Sequence, residues 1–165
     1  RSLVGSEMCI RDSHLAAQPL VIDSYIDPIK TFETNAIGTA NLLQACTNQN
    51  RLKSILIITT DKCYKNKEWN YGYREVDELG GHDPYSSSKA CSELITSSYI
   101  ESFFRYSKTN VATVRAGNVI GGGDWSKNRI IPDALEAYNT NKVLFVRNPK
   151  STRPWQHVLE PLSGY

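Results

Sequence analysis

The sequence predicts an α/β protein built on a parallel, doubly wound sheet. Three observations carry this. Helix-period and strand-like segments alternate along the chain. Residues 53–59 are nearly continuous and β-branched, as a parallel strand covered on both faces should be, and overlap the most apolar short run, "SILIITT" at 54–60. That run empties directly into the polar stretch "TTDKCY" at 59–64. In open α/β sheets the ligand lies beyond the carboxyl ends of the strands, so this strand delivers side chains to the ligand end.

Each element has a local reason. "RSLVGSEMCIRDS" has no initiator Met, no apolar core and no clean period, so it reads as a non-native leader over 1–13. "HLAAQPLV" has small residues followed by Pro19, which suits a strand end turning into a loop. Asp27 and Pro28 supply a cap and a first helical residue. The helix that follows places Phe32, Ala36, Ile37, Ala40, Leu43 and Cys46 at helical spacing, with Gly38 as a small residue suited to close packing. Residues 61–83 form a long polar, aromatic loop, and such loops in compact domains are usually functional. Asp83 and Pro84 then open a second helix that runs to about Lys108. "NVATVRAG" is a strand, "NVIGGGDWSKN" a Gly-rich loop, "IIPDALEAYNT" a helix and "KVLFVRN" a further strand. "STRPWQHVLEPLSGY" begins another segment that is not completed.

Bulk properties exclude several classes. At 165 residues, 40% hydrophobic and 22% charged, the chain is long enough for one domain with a core. A net charge of +2 gives no basis for a nucleic-acid or membrane partner. No window approaches the ~18 consecutive apolar residues of a membrane span. Cys9, Cys46, Cys63 and Cys91 show no C-x-x-C spacing, which argues against zinc and a disulfide framework and for reduced thiols in the cytosol.

Tyr85 and Lys89, in "YSSSK", lie four apart and share one helix face. A free Tyr, with a pKa near ~10, is a poor base at neutral pH. A neighbouring cation and the positive end of the helix macrodipole both favour the phenolate. A bare Tyr-x-x-x-Lys is common by chance; the capped helix entry and the strand-loop that feeds it strengthen the functional reading.

Together, "HLAAQ", "NAIGTANLLQA", "ITTDKCY", "YSSSK" and "RAGNVIGGGDW" resemble the extended short-chain dehydrogenase/reductase family over almost everything from His14 to Tyr165. Within that family, Asp61-Lys62, "GGGDW" and the closing "RNPKSTRPWQHVLEPLSGY" are most similar to the dehydratases that act on CDP-glucose. The dTDP-glucose dehydratases carry Asp-Glu where this chain has Asp61-Lys62. The resemblance implies the second part of a Rossmann-like NAD-binding domain over 14–117 and the start of a sugar-nucleotide-binding region over 118–165. The family's Gly-x-x-Gly-x-x-Gly turn is not in this sequence. The chain therefore reads as an internal fragment with catalytic residues and little of the cofactor grip.

The resemblance also implies roles. NAD accepts a hydride from C4 of the hexose while Tyr85 takes the O4 proton and Lys89 holds the phenolate. The C5 proton then lies α to a carbonyl. Thr60 would hydrogen-bond O4, Asp61 would protonate the departing C6 hydroxyl, and Lys62 would be the C5 base, provided that burial or a nearby cation makes it neutral. Leu15, Ala16, Ala17, Gln18, Asn35, Thr59 and Asn118 would line the cofactor, with Tyr85 and Lys89. Asn118, Asp124, Trp125, Arg129, Arg153 and His157 would contact the substrate. Outside these motifs Asp61 is a turn cap, Lys62 a solvated charge, and Cys63 and Tyr64 packing residues. The partner expected is a nucleotide sugar, CDP-glucose, and relatives imply a homodimer. Two other readings stay open: a different NAD-dependent nucleotide-sugar enzyme such as a 4-epimerase, which does not need Asp61 and Lys62, and a non-catalytic truncated fold.

Overall fold

The computed structural model describes residues 10–126 and 128–165, in two compact units that meet in sequence between Ala116 and Gly117. The expectations for 1–9, Cys9 among them, lie outside the described residues. In the first unit, strands β1 (Arg11–His14), β2 (Ser54–Thr60) and β3 (Asn110–Ala116) form one parallel sheet in the order β1-β2-β3. β1 registers Arg11 with Ser54 and His14 with Ile57, and β2 registers Ser54 with Asn110 and Thr60 with Ala116. Arg11–Ser13 thus belong to the sheet, three residues ahead of the boundary expected from sequence. Strand pairing uses backbone groups, and an edge strand tolerates polar side chains.

Strand order that advances in one direction puts successive right-handed crossovers on the same face. The helices here follow that rule. Their core, Leu43, Cys46, Leu52, Ile55, Ile57 and Phe104, lies on the side of β2 that carries its odd-numbered residues. Leu56 and Ile58 point the other way and are only half-buried, so β2 is covered on one face and not on both. The arrangement is one wing of a doubly wound sheet.

The first crossover contains α1 (Val21–Ile26), α2 (Pro28–Phe32), a π-helical turn over Glu33–Ile37 and α3 (Gly38–Cys46). Asp27 caps α2 as expected, its carboxylate accepting from the Lys30 N–H at 3.0 Å. The π-turn breaks the 3.6 period. It carries one residue more than an α-turn, which rotates the faces that follow. Asn35 and Ala36 therefore face inward, and Ile37, expected in the core, is 53% exposed. A side chain at Gly38 would meet only the Glu33 carbonyl at 3.7 Å, so close packing does not require glycine there.

The second crossover is α4 (Pro84–Tyr99), continued by a π-turn over Ile100–Phe104. Asp83 caps it twice, accepting from the Ser86 N–H at 2.9 Å and the Ser86 hydroxyl at 2.6 Å. Gly81 is required for this entry, because a Cβ there would fall 2.5 Å from the Ser87 backbone nitrogen.

The second unit pairs β4 (Asn118–Ile120) with β5 (Trp155–His157) in parallel, and adds α5 (Ile130–Asn139) and α6 (Leu159–Gly164). Asn118, expected in a loop, starts β4. Residues 142–148 are not a strand: β4 takes β5 as its partner, and an apolar run without a partner edge has nowhere to place its backbone hydrogen bonds. Val143 and Phe145 are accordingly exposed.

These packing differences are measurable. Leu43→Ala, at a fully buried site, should lower unfolding free energy by about 2–5 kcal/mol in urea titrations. Ile37→Ala should change it by no more than about 0.5 kcal/mol. Equal losses at the two positions would contradict the π-turn assignment of faces.

Candidate active site

The site forms at the carboxyl ends of β1 and β2 and the first turns of α4. β2 ends at Thr60, and a tight 3-10 turn over Asp61–Cys63 follows. The Thr60 hydroxyl donates to Asp61 Oδ1 at 3.1 Å and accepts from the Lys62 N–H at 3.4 Å. Lys62 itself is exposed, with its ammonium 6.0 Å from the centre of the Tyr85 ring. The strand tip and the first turn of α4 therefore lie close together. The burial expected for Lys62 as a C5 base is not found, since its side chain is exposed.

Lys89 is the opposite case. It is 6% exposed, and its ammonium donates to the Ile58 carbonyl at 3.1 Å. Burial lowers its amine from 10.5 to about 8, with the Glu93 carboxylate working in the other direction. His14, at the end of β1, is also lowered, first by burial and then by the charge of Lys89. Its Nε2 is buried with no hydrogen-bond partner. Cys63 is fully buried, and burial pushes its thiol up to about 12, so it is a packing residue and not a nucleophile. Tyr64 stacks on Tyr73 at 5.0 Å, also as a packing residue.

The loop after β1 is tied to α4 through Asn35. The Gln18 N–H donates to Asn35 Oδ1 at 2.8 Å, and Asn35 Nδ2 donates to the Gln18 carbonyl at 3.1 Å and to Ser88 Oγ at 2.8 Å. Ser92 Oγ adds a bond to the Asn35 carbonyl at 2.9 Å. Leu15 and Ala16 are exposed and Ala17 half-buried on this loop, where small side chains leave the backbone open to a ligand. The small loop residues, the unpartnered His14 Nε2 and the buried Lys89 ammonium fit a dinucleotide laid across these strand ends. Thr59 faces inward instead, its hydroxyl on Glu93.

The remaining expected residues belong to the second unit. Asp124 accepts from the Ser126 N–H at 3.1 Å and pairs with Arg129 at 2.6 Å. Burial works to raise its carboxyl, but Ser126 and Arg129 hold it below the ordinary carboxylate range. Arg129 is thus engaged by an acid. Trp125 is 74% exposed and borders a cleft of about 260 Å³ with Pro132, Asp133 and Glu136. Arg153 is exposed, with Nη1 on the Thr152 carbonyl at 2.7 Å, and His157 accepts from the Leu159 N–H at 3.3 Å.

Sequence reading missed Glu93 and Arg115. Glu93 receives Thr59, Thr113 and Arg115 beneath the sheet. The available signal was its place four residues after Lys89, on the same helix face.

The parallel sheet, its ligand end and the Tyr85–Lys89 helix define a short-chain dehydrogenase/reductase of the extended type. Within that class, the chain belongs to the GDP-mannose 4,6 dehydratase family, whose model matches residues 11–164. It is 55% identical over 157 residues to CDP-glucose 4,6-dehydratase of Salmonella typhimurium, a match that covers 92% of this chain and 44% of that protein. It is 31% identical to dTDP-D-glucose 4,6-dehydratase of Dictyostelium discoideum, over 92% of this chain and 36% of that protein. The chain thus spans less than half the length of these relatives. Its fold superimposes on a dTDP-glucose 4,6-dehydratase from Streptomyces venezuelae, solved with NAD bound, at a TM-score of 0.83 and 24% identity, covering 94% of this chain and 46% of that one. A UDP-glucuronic acid 4-epimerase from Bacillus cereus, in complex with UDP-glucuronic acid and NAD, gives 0.83 and 22% identity, covering 94% of this chain and 48% of that one.

The buried ammonium of Lys89 makes a signed prediction. Between pH 8 and 10.5 the folded state binds fewer protons at this group than the unfolded chain does. Its contribution to stability therefore rises with pH through that window, and its full cost, on the order of 3 kcal/mol, stands below about pH 8. Lys89→Met should be more stable than the parent at pH 7 by about 1–2 kcal/mol, after loss of the Ile58 hydrogen bond, and the gap should shrink as pH approaches 10. Urea denaturation across that range checks it; a variant less stable at pH 7 refutes it.

Proposed function

We propose that this chain carries the catalytic part of a nucleotide-sugar 4,6-dehydratase, a hydro-lyase that converts CDP-glucose to its 4-keto-6-deoxy product with NAD as resident cofactor. The observation that carries the reading is the approach of Lys62, at the strand tip, to within 6.0 Å of the Tyr85 ring centre. A dehydratase needs the tip residues and the Tyr–Lys helix on one hexose, whereas an epimerase needs only the helix. The 55% identity to the Salmonella enzyme supports the CDP-sugar assignment.

Dehydration of a hexose across C5 and C6 is difficult because the C5 proton is not acidic; a ketone at C4 makes it so. NAD, when bound, would accept the C4 hydride and give it back at C6 after water has left, with a proton restored at C5, so that the 4-keto-6-deoxy sugar forms with no net oxidation. Tyr85 Oη takes the O4 proton, its phenolate favoured by the Lys89 ammonium one helical turn further on. Thr60 Oγ hydrogen-bonds O4 and stabilises the negative charge that develops there as the C5 proton leaves. Asp61 delivers a proton to the C6 hydroxyl so that it departs as water. Lys62 is assigned the removal of the C5 proton, a role that requires its neutral amine. Leu15–Gln18, Asn35 and Asn118 are assigned to the cofactor, and Asp124, Trp125, Arg129, Arg153 and His157 to the nucleotide sugar.

The same reading makes the protein a homodimer, and the exposed apolar side chains Ile22, Ile26 and Ile29 beside α4 support a second copy there. The unbridged thiols of Cys63 and Cys91 support a cytosolic setting. No helix among the described residues is long and apolar enough to cross a membrane.

Product analysis by NMR with CDP-glucose tests the proposal. The expected product is the 4-keto-6-deoxy sugar; a C4 epimer as the sole product rejects it. Tyr85→Phe should reduce turnover about 10²–10⁴-fold. Asp61→Asn should block elimination of water while C4 oxidation persists, seen as exchange or release of the 4-keto hexose. Loss of both steps to the same extent would remove Asp61 from its role.

A further inference from the structure

The most enclosed ion pair among the described residues is not between any of the residues assigned above. It joins Glu93 of α4 to Arg115 of β3, with side chains 4% and 14% exposed. Arg115 Nε donates to Oε1 at 3.0 Å and Nη2 to Oε2 at 2.9 Å, a bidentate fork that fixes orientation as well as distance. The Thr113 hydroxyl donates to Oε2 at 2.8 Å, and the Thr59 hydroxyl reaches Oε1. The outer part of Arg115 faces the loop that follows the catalytic tip. Its guanidinium carbon sits 4.8 Å from the centre of the Tyr64 ring, and Nη1 donates to the Glu75 carbonyl at 3.2 Å.

These contacts bracket three residues. Thr59 is the residue before Thr60–Asp61–Lys62, and Tyr64 is two residues after Lys62. Both are held by one ion pair whose acid lies on the same face of α4 as Lys89. Stability alone does not account for this choice. A well-packed apolar pair in the same volume would stabilise the fold as well or better than a buried salt bridge. An apolar pair could not grip a hydroxyl on one strand and the face of a phenol on a loop in fixed directions.

We infer that Glu93 and Arg115 are positioning residues, which hold the Thr60–Lys62 tip against the Tyr85–Lys89 helix by gripping Thr59 on one side and Tyr64 on the other. The kinetic consequence rests on the dehydratase reading; the mechanical one does not.

Three substitutions test it: Glu93→Gln removes the charge, Arg115→Lys keeps the charge but loses the fork and the flat face over Tyr64, and Tyr64→Leu leaves the ion pair intact. Amide hydrogen exchange is followed at Lys62 and Tyr64, whose N–H groups bond to Thr60 Oγ and the Asp61 carbonyl, and at Ile55 and Ile57 in the core of β2. In parallel, kcat and KM are measured with CDP-glucose. Arg115→Lys and Tyr64→Leu should speed exchange at Lys62 and Tyr64 at least about 10-fold while Ile55 and Ile57 stay within about twofold. Turnover should fall about 10- to 100-fold with KM within about threefold, as expected when reacting groups are displaced but binding is kept. Unchanged exchange at the tip, or an equal rise at Ile55 and Ile57, overturns the inference. Should Glu93→Gln not fold, the other two variants decide. If the parent protein makes no product from CDP-glucose, the dehydratase reading has failed and exchange alone judges the positioning role. If it does turn over and exchange at the tip is flat, only the positioning role has failed.

Discussion

The Glu93 carboxylate lies beneath the carboxyl end of the sheet, and every oxygen it has is used there. It accepts from Thr59 on β2, from Thr113 and Arg115 on β3, and it is carried by α4. Burial alone would raise such a carboxyl. The bonds from Arg115, Thr59 and Thr113 instead hold it below the ordinary range. A buried charge of this kind forces its surroundings into one arrangement, because any displacement leaves an ion without a partner. Strand register, the face of α4 and the root of the 61–83 loop are thereby fixed with respect to one another. The electrostatics of Lys89, one turn away, follow from the same placement: Glu93 partly offsets the effect of burial on its amine.

The interface between the two crossovers is made from small polar residues where an apolar seam would be usual. Thr31, Asn35 and Thr39 meet Ser88, Ser92 and Thr96, all buried and with their side-chain groups hydrogen-bonded. Small side chains let the helices approach closely, and satisfied hydroxyls avoid the penalty of burying polar atoms. The π-turn at Glu33–Ile37 is what turns Asn35 into this seam. From there Asn35 links the loop after β1 to the helix that bears Tyr85 and Lys89.

The two lysines of the site stand in contrasting environments. Lys89 is enclosed, bonded to a strand carbonyl and depressed towards neutrality by desolvation. Lys62 is open to solvent, 6.0 Å from the centre of the Tyr85 ring. One is fixed and the other is free to respond to a ligand.

The sequence by itself determined the α/β class, the caps at Asp27 and Asp83, the strand that ends at Thr60 and the helix that pairs Tyr85 with Lys89. All of these are local: hydrophobic period, capping chemistry and the i, i+4 spacing are written in neighbouring residues. It misplaced Ile37, because a π-turn is a one-residue change of period that composition does not announce. It predicted a strand over 142–148 that is not formed, because β-propensity cannot create a partner edge. The role of Glu93 and Arg115 was decided only by the tertiary structure. They stand 22 residues apart in sequence, on a helix and a strand, and nothing in either neighbourhood states that their charges will meet. The same holds for the contrast between Lys62 and Lys89: both are lysines beside a tyrosine in the sequence, and only the packing of α4 on the sheet buries one of them.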